Sequence, residues 1–157
     1  GIDLVKRGRI RNSNKKNTRS TNLYVHLLIK LFRFMARRTD SKVWAVILRR
    51  LVSSRVNRPP LSLSKLIKHH VKDQFKTETA VIVATVTDDE RLLELPKGLK
   101  VAALKFTEAA RARITKAGGS CMTLDELVKN HPDGKFYFSI LRPTFVASAI
   151  TSQNRVI

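Results

Sequence analysis

The sequence predicts an α/β fold, and three runs of residues carry that expectation. Residues 80–86, "AVIVATV", form a continuous and mostly β-branched stretch, the composition of a strand covered on both faces. Residues 99–106, "LKVAALKF", form a second strand candidate. Residues 23–38, "LYVHLLIKLFRFMARR", instead repeat their apolar side chains at helical spacing. A chain of 157 residues suits one domain of ordinary size, long enough to bury roughly two-thirds of its unfolded surface.

Taken from the N-terminus, residues 6–19, "KRGRIRNSNKKNTR", hold seven basic residues, no acid and one apolar side chain. So little apolar surface cannot offset backbone ordering, so the arm over 1–19 is expected to be disordered alone and to order on a phosphate backbone. The plainer reading is a solvated tail. Ser20, Thr21 and Asn22 are cap candidates for the helix over 23–38. Tyr24, Leu27, Leu28, Leu31 and Met35 take its core spacing, with Val25, Ile29 and Phe32 on the flank, while His26, Lys30, Arg33 and Arg37 make one positive stripe. A second helix runs from a cap at Asp40 or Ser41 through "KVWAVILRRLV", with Trp44, Ile47, Leu48 and Leu51 inward and Arg49 and Arg50 outward.

In "SRVNRPPLSLSKL" (54–66), Pro59 and Pro60 disfavour helix before them and predict a locally extended, stiff loop. Ser62 is placed to cap a third helix, "LSKLIKHHV", with Leu63, Leu66, Ile67 and Val71 inward. Residues 73–79 read as a polar connection to the first strand, Asp88 and Asp89 as a turn, and "RLLELP" as a short strand ended by Pro96. Thr107 caps the helix "EAARARITKA", which stops at Gly118 and Gly119. After "SCM", Thr123 and Glu126 form a capping box that opens a helix to about Asn130. "HPDG" is a turn and "KFYFSIL" alternates as a last strand. A globular unit over 20–141 is thus expected between the basic arm and a tail over 142–157.

Charge is the strongest global fact: 31 Lys and Arg against 12 Asp and Glu leave +19. Residues 1–39 carry 11 basic and 1 acidic side chains and residues 40–78 carry 9 and 3, so 16 of the 19 net charges (10 plus 6) lie in the first half. That exceeds what solubility asks of a small domain and implies a polyanionic partner. Cys121 is the only cysteine, so no intramolecular disulfide forms, which fits a reducing compartment. No apolar run reaches membrane-spanning length and the start lacks a signal-peptide core, so a soluble intracellular chain is expected.

A catalytic constellation is not found. "KAGGSC" (116–121) lacks Walker spacing and follows a helix, Asp88, Asp89 and Glu90 are adjacent acids in a turn, and His69 and His70 face different directions. What remains is arginine, whose planar fork makes bidentate phosphate contacts and stacks on bases. The candidate RNA-contact set is the arm's Lys6, Arg7, Arg9, Arg11, Lys15, Lys16 and Arg19, and the first helix's Lys30, Arg33, Arg37 and Arg38. Arg49 and Arg50, the loop's Arg55, Asn57 and Arg58, and Lys65, Arg111 and Arg113 complete it. The competing readings are a proline linker with incidental charge at 55–58 and a solvated helix face at Arg111 and Arg113.

At these residues the chain resembles a known family. "GIDLV", "LYVHLLIKLFRFMARRT", "SSRVNRPPLSLSKL" and "TVTDDERLLELPKGLKVAALKFTEAARARITKAGG" closely resemble the eukaryotic large-subunit ribosomal protein eighteen family, over about residues 1–130. That family is similar in fold to bacterial large-subunit ribosomal protein fifteen. The resemblance implies an irregular strand-strand-helix superhelical core, preceded by N-terminal helices and a basic extended arm. It implies a structural constituent of the cytosolic ribosome that binds large-subunit ribosomal RNA beside neighbouring large-subunit proteins, after passage through the nucleus and nucleolus during assembly. It implies no enzyme, no cofactor, no metal, no membrane and no small-molecule substrate. The end departs from the pattern: "LRPTFVASAITSQNRVI" lacks the family's Gly-Pro turn and long basic tail, so contacts of that tail are not carried over. The alternatives are an RNA-processing or RNA-modifying enzyme with an unrecognised site, and a DNA-binding protein using the helices around the prolines as a helix-turn-helix. The roughly ten-residue connection is long for that motif.

Overall fold

The computed structural model describes residues 17–39, 41–70, 79–134 and 138–140. The expectations for residues 1–16, Asp40, Val71, residues 73–78, residues 135–137 and the tail over 142–157 lie outside the described residues, and Thr79, expected in the polar connection, instead begins the first long strand. Two helices come first, α1 (Leu23–Arg38) and α2 (Lys42–Val52), followed by a 3₁₀ turn at Arg55–Asn57. Then follow β1 (Leu61–Ser62), α3 (Leu63–His70), β2 (Thr79–Thr87), β3 (Lys100–Phe106), α4 (Glu108–Lys116), β4 (Ser120–Thr123), α5 (Leu124–Asn130) and β5 (Phe138–Ile140).

The α/β class holds, with every described strand pairing parallel. β2 is central: β3 runs along one side with β4 beyond it, and the other side is shared by β5, at the start of β2, and β1, at its end. A bulge places Val83 and Ala84 opposite Leu104 alone, because Ile82 pairs with Ala103 while Thr85 pairs with Lys105. Parallel sheets need cover on both faces. One face is covered by α1, α2 and α5, where Phe32, Trp44, Ile47, Leu51, Leu124 and Leu127 meet Val81, Val83 and Ala102. The other is covered by α3 and α4, where Leu63, Leu66, Ala110 and Ile114 meet Ala80, Ile82, Val86, Val101 and Ala103. Burying each large side chain stabilises the fold by about 1.5–3 kcal/mol before entropy is set against it.

Local chemistry explains most element ends. Asn22 accepts from the Tyr24 amide and Ser41 from that of Val43, so each helix starts at a cap. Thr123 and Glu126 form the expected reciprocal capping box on α5. Gly118, at φ 73°, ends α4 in the left-handed region. Gly134 is bound to its place by two constraints: its φ is 63°, and an added Cβ would stand 2.5 Å from Trp44 Nε1 and 2.7 Å from Ser41 Oγ. The Ser41 hydroxyl donates to the Gly134 carbonyl at 3.1 Å, so the turn after α5 is fastened to the start of α2.

Three expectations are corrected. Tyr24 and Leu27 are not core: α1 buries Ile29, Phe32 and Met35, because α2 lies against that side of a helix apolar around most of its circumference. "RLLELP" is not a strand; Leu92 and Leu95 pack from an irregular loop whose Asp89 and Leu92 carbonyls accept from Arg113 instead of a ladder. The stretch before Pro59 is not extended throughout, since Asn57 N donates to the Ser54 carbonyl and Arg58 N to that of Arg55. Proline restricts only the residue before it, and only Arg58, at φ −128° and ψ 53°, leaves the turn. "SCMT", whose first three residues the sequence assigns to no element, is strand β4, paired with β3 from Lys100↔Ser120 to Ala103↔Thr123. Ser62 stands directly before α3, at the position expected of its cap, and is also part of β1, paired with Thr87. That pairing carries the chain across the sheet, so α2 and α3 lie on opposite faces and do not form a helix-turn-helix.

Candidate nucleic-acid interface

The cations fall where the packing leaves them. α1 directs Ile29, Phe32 and Met35 inward, which turns Lys30, Arg37 and Arg38 out to solvent and leaves Arg33 half-buried. α2 directs Trp44, Ile47 and Leu51 inward, leaving Arg49 exposed and Arg50 half-buried in its last turn. Cations there also complement the negative end of each helix dipole. Arg19 is exposed just before α1, and Lys65 is exposed on α3. Nearby, the His26 ring contacts the Ser20 carbonyl at 2.6 Å, securing the strand of chain that leads out to Arg19. Lys6, Arg7, Arg9, Arg11, Lys15 and Lys16 lie outside the described residues.

Ten residues run from Arg49 to Arg58, and four of them are arginines. Ser53 Oγ donates to the Arg49 carbonyl at 2.8 Å, closing α2. The 3₁₀ turn then exposes Arg55 and Asn57, and Asn57 Nδ2 donates to Ser54 Oγ at 3.3 Å. Arg58 is half-buried, with its Nε shielded from solvent and without a hydrogen-bond partner among the described residues. Burial pushes its guanidinium below its ordinary pKa, a value so high that it stays charged. A shielded donor without a partner costs about 1–3 kcal/mol, and Pro59 and Pro60 hold it where it is.

α4 separates its two arginines. Arg113 faces inward: Nη1 donates to Asp88 Oδ1 at 2.7 Å and to the Asp89 carbonyl at 2.9 Å, and Nη2 donates to the Leu92 carbonyl. It therefore serves as a clamp on the loop after β2, and Asp88 is engaged by it. Arg111 faces out, with its guanidinium carbon 5.7 Å from the centre of the Phe106 ring, a cation–π arrangement. Cys121 packs half-buried against the second core, and burial pushes its thiol up, the Arg111 charge opposing this, so nucleophilic chemistry is disfavoured. The structure also exposes Lys42, Lys68, Lys100, Lys105 and Lys116. No sequence motif singles them out; their only signal is an exposure that packing decides.

An α/β core whose outward side chains are so often arginine and lysine is the build of a basic binding protein, and comparison with known proteins narrows that class to ribosomal proteins. The chain belongs to the family described as "Ribosomal protein 60S L18 and 50S L18e", whose model matches residues 1–143. The match runs beyond residue 130 and takes in β5. The chain is 52% identical over 136 residues to "Large ribosomal subunit protein eL18B" of Schizosaccharomyces pombe, covering 85% of this chain and 72% of that protein. It is 51% identical over 143 residues to "Large ribosomal subunit protein eL18" of Tetrahymena thermophila, covering 90% and 78%. It is also 51% identical over 130 residues to the protein of that name from Cicer arietinum, covering 83% and 69%. The family is one of ribosomal proteins rather than enzymes, and the reading as an RNA-modifying enzyme finds no support in it.

Proposed function

We propose that this chain is a structural constituent of the large subunit of the cytosolic ribosome, where it binds and stabilises large-subunit ribosomal RNA beside neighbouring proteins. The family match over residues 1–143 carries the reading. Within it, the arm, the outward cations of α1 and α2, the loop over 55–58, Lys65 and Arg111 form the RNA-contacting set. Arg113 serves that set indirectly, holding the loop after β2 so that Arg111 is the outward arginine of α4. Arginine suits the task because its fork meets two phosphate oxygens at once and its plane stacks on bases. A 3₁₀ turn closed by two prolines presents Arg55, Asn57 and Arg58 with little ordering left to lose on binding. Nuclear passage during assembly belongs to the same proposal.

Sedimentation of a cell extract through a sucrose gradient, with the chain followed by immunoblot, tests the reading. Cofractionation with large subunits and polysomes after a high-salt wash is expected; confinement to light fractions would refute it.

A further inference from the structure

α1 carries more apolar surface than the fold uses. At about 100° per residue, Leu23, Tyr24, Leu27, Leu31 and Phe34 share an arc of roughly 100° beside the arc of Ile29, Phe32 and Met35 that packs inward. The first arc is largely open: Leu23 is 67% exposed, Tyr24 76%, Leu27 51% and Phe34 47%. A helix apolar on most sides is ordinarily covered on most sides, and this stripe runs three turns, about 16 Å. Its surroundings are positive. Lys30 and Arg37 line one margin, the Arg38 guanidinium sits over the Phe34 ring at 5.6 Å, and α1 contains no acidic residue.

We propose that this face of α1 docks an amphipathic segment of a neighbouring protein, with apolar residues on the Leu23-to-Phe34 stripe and carboxylates opposite Lys30, Arg37 and Arg38. The inference rests on the proposed place in the large subunit. RNA is a poorer occupant, since the stripe is mainly aliphatic and a phosphate laid on leucine loses water without gaining a partner. A second copy would bring two positive margins together. Residues 141–157 of the same chain contain Arg142 and Arg155 and no acid, so they would leave those cations unmatched.

Replacing Leu27 with the photoreactive residue benzoylphenylalanine in the full chain and irradiating living cells reads the contact whether or not the chain sediments with large subunits. The expected product is a crosslink to a protein segment whose apolar residues recur at helical spacing with Asp or Glu beside them. A crosslink to RNA, to a second copy or to residues 141–157 overturns the proposal, as does no crosslink at all. Leu27→Glu and Leu27→Lys provide the second readout, with thermal melts of both expected to match wild type. In competition with wild type, Leu27→Glu should lower incorporation into large subunits on the order of tenfold, and Leu27→Lys distinctly less. Equal effects, or a worse lysine variant, would remove the acidic partner. Failure of the RNA reading shows elsewhere, in indifference to loss of Arg55 and Arg58.

Discussion

Single residues in this fold differ sharply in what their surroundings permit, and Gly134 and Gly98 make the comparison. Both have positive φ, 63° and 77°, but an added Cβ meets Trp44 and Ser41 at Gly134 and nothing within 4 Å at Gly98. Gly98→Ala is therefore expected to cost about 1 kcal/mol, the penalty of a left-handed backbone alone. Gly134→Ala adds displacement of a fully buried indole and is expected to cost about 3 kcal/mol or more, read as a melting temperature lower by roughly 5–10 °C. Similar losses from the two variants would mean that Gly134 is not wedged against α2. Thr123 gives a second residue-scale test. Its hydroxyl is the chief cause of the lowered pKa of Asp125, and it accepts from the Glu126 amide in the capping box. A depressed carboxylate contributes stability that is complete above its unfolded-state pKa and vanishes as pH falls through the folded value. Thr123→Ala should thus cost about 1 kcal/mol at neutral pH and move the Asp125 titration, followed by carboxyl carbon shifts, up towards the ordinary range. An unmoved titration would show that the hydroxyl is not responsible.

At the scale of elements, the loop over 54–60 separates charge from shape. Arg55 is exposed and Arg58 carries a shielded donor without a partner among the described residues, so replacing both with Ala should not lower stability and should relieve up to about 1–3 kcal/mol. The same variant should compete poorly for incorporation into large subunits. Pro59→Gly with Pro60→Gly keeps both arginines but frees the backbone, adding about 1 kcal/mol or more of ordering cost on binding. A large drop in melting temperature with normal incorporation of the arginine variant would make those arginines structural.

Elements also show what the letters reveal. α2 is legible because its inward residues and its cap are all local, and every inward residue named from the sequence is buried or partly buried. α1 is legible as a helix from Leu23 to Arg38 but not in its facing, because nearly continuous apolar residues leave the phase to be chosen by α2. β1 and β4, of two and four residues, are too short to show a period and exist through their pairing with β2 and β3. The candidate site divides in the same way. Arginine enrichment is plain in the sequence, yet nothing near Arg113 indicates that it turns inward, because Asp88 is 25 residues away in the chain.

For the molecule as a whole, charge sets the expected behaviour in salt. If on the order of ten side chains neutralise phosphates, the logarithm of affinity for a large-subunit RNA fragment should fall against log salt with a slope of roughly −7 to −9. A slope shallower than about −3 would mean that most of the +19 faces solvent in the complex. The arm supplies seven of the basic residues, so a chain lacking residues 1–19 should bind with a correspondingly flatter slope.

The two faces of the sheet also differ in when they can close. Among the described residues, every buried member of the α3–α4 side lies between Leu61 and Ile114, whereas the α1–α2 side begins at Ile29 and waits for Leu124, Leu127 and Val128. During synthesis the helices made first are thus sealed last, roughly one to three seconds after Ile114 has been added at ordinary elongation rates. Until α5 arrives, the surface that will hold Trp44 stays open to solvent and to chaperones. Trp44 is the sole tryptophan and ends fully buried beside Phe32, so its emission is a clock for that late closure.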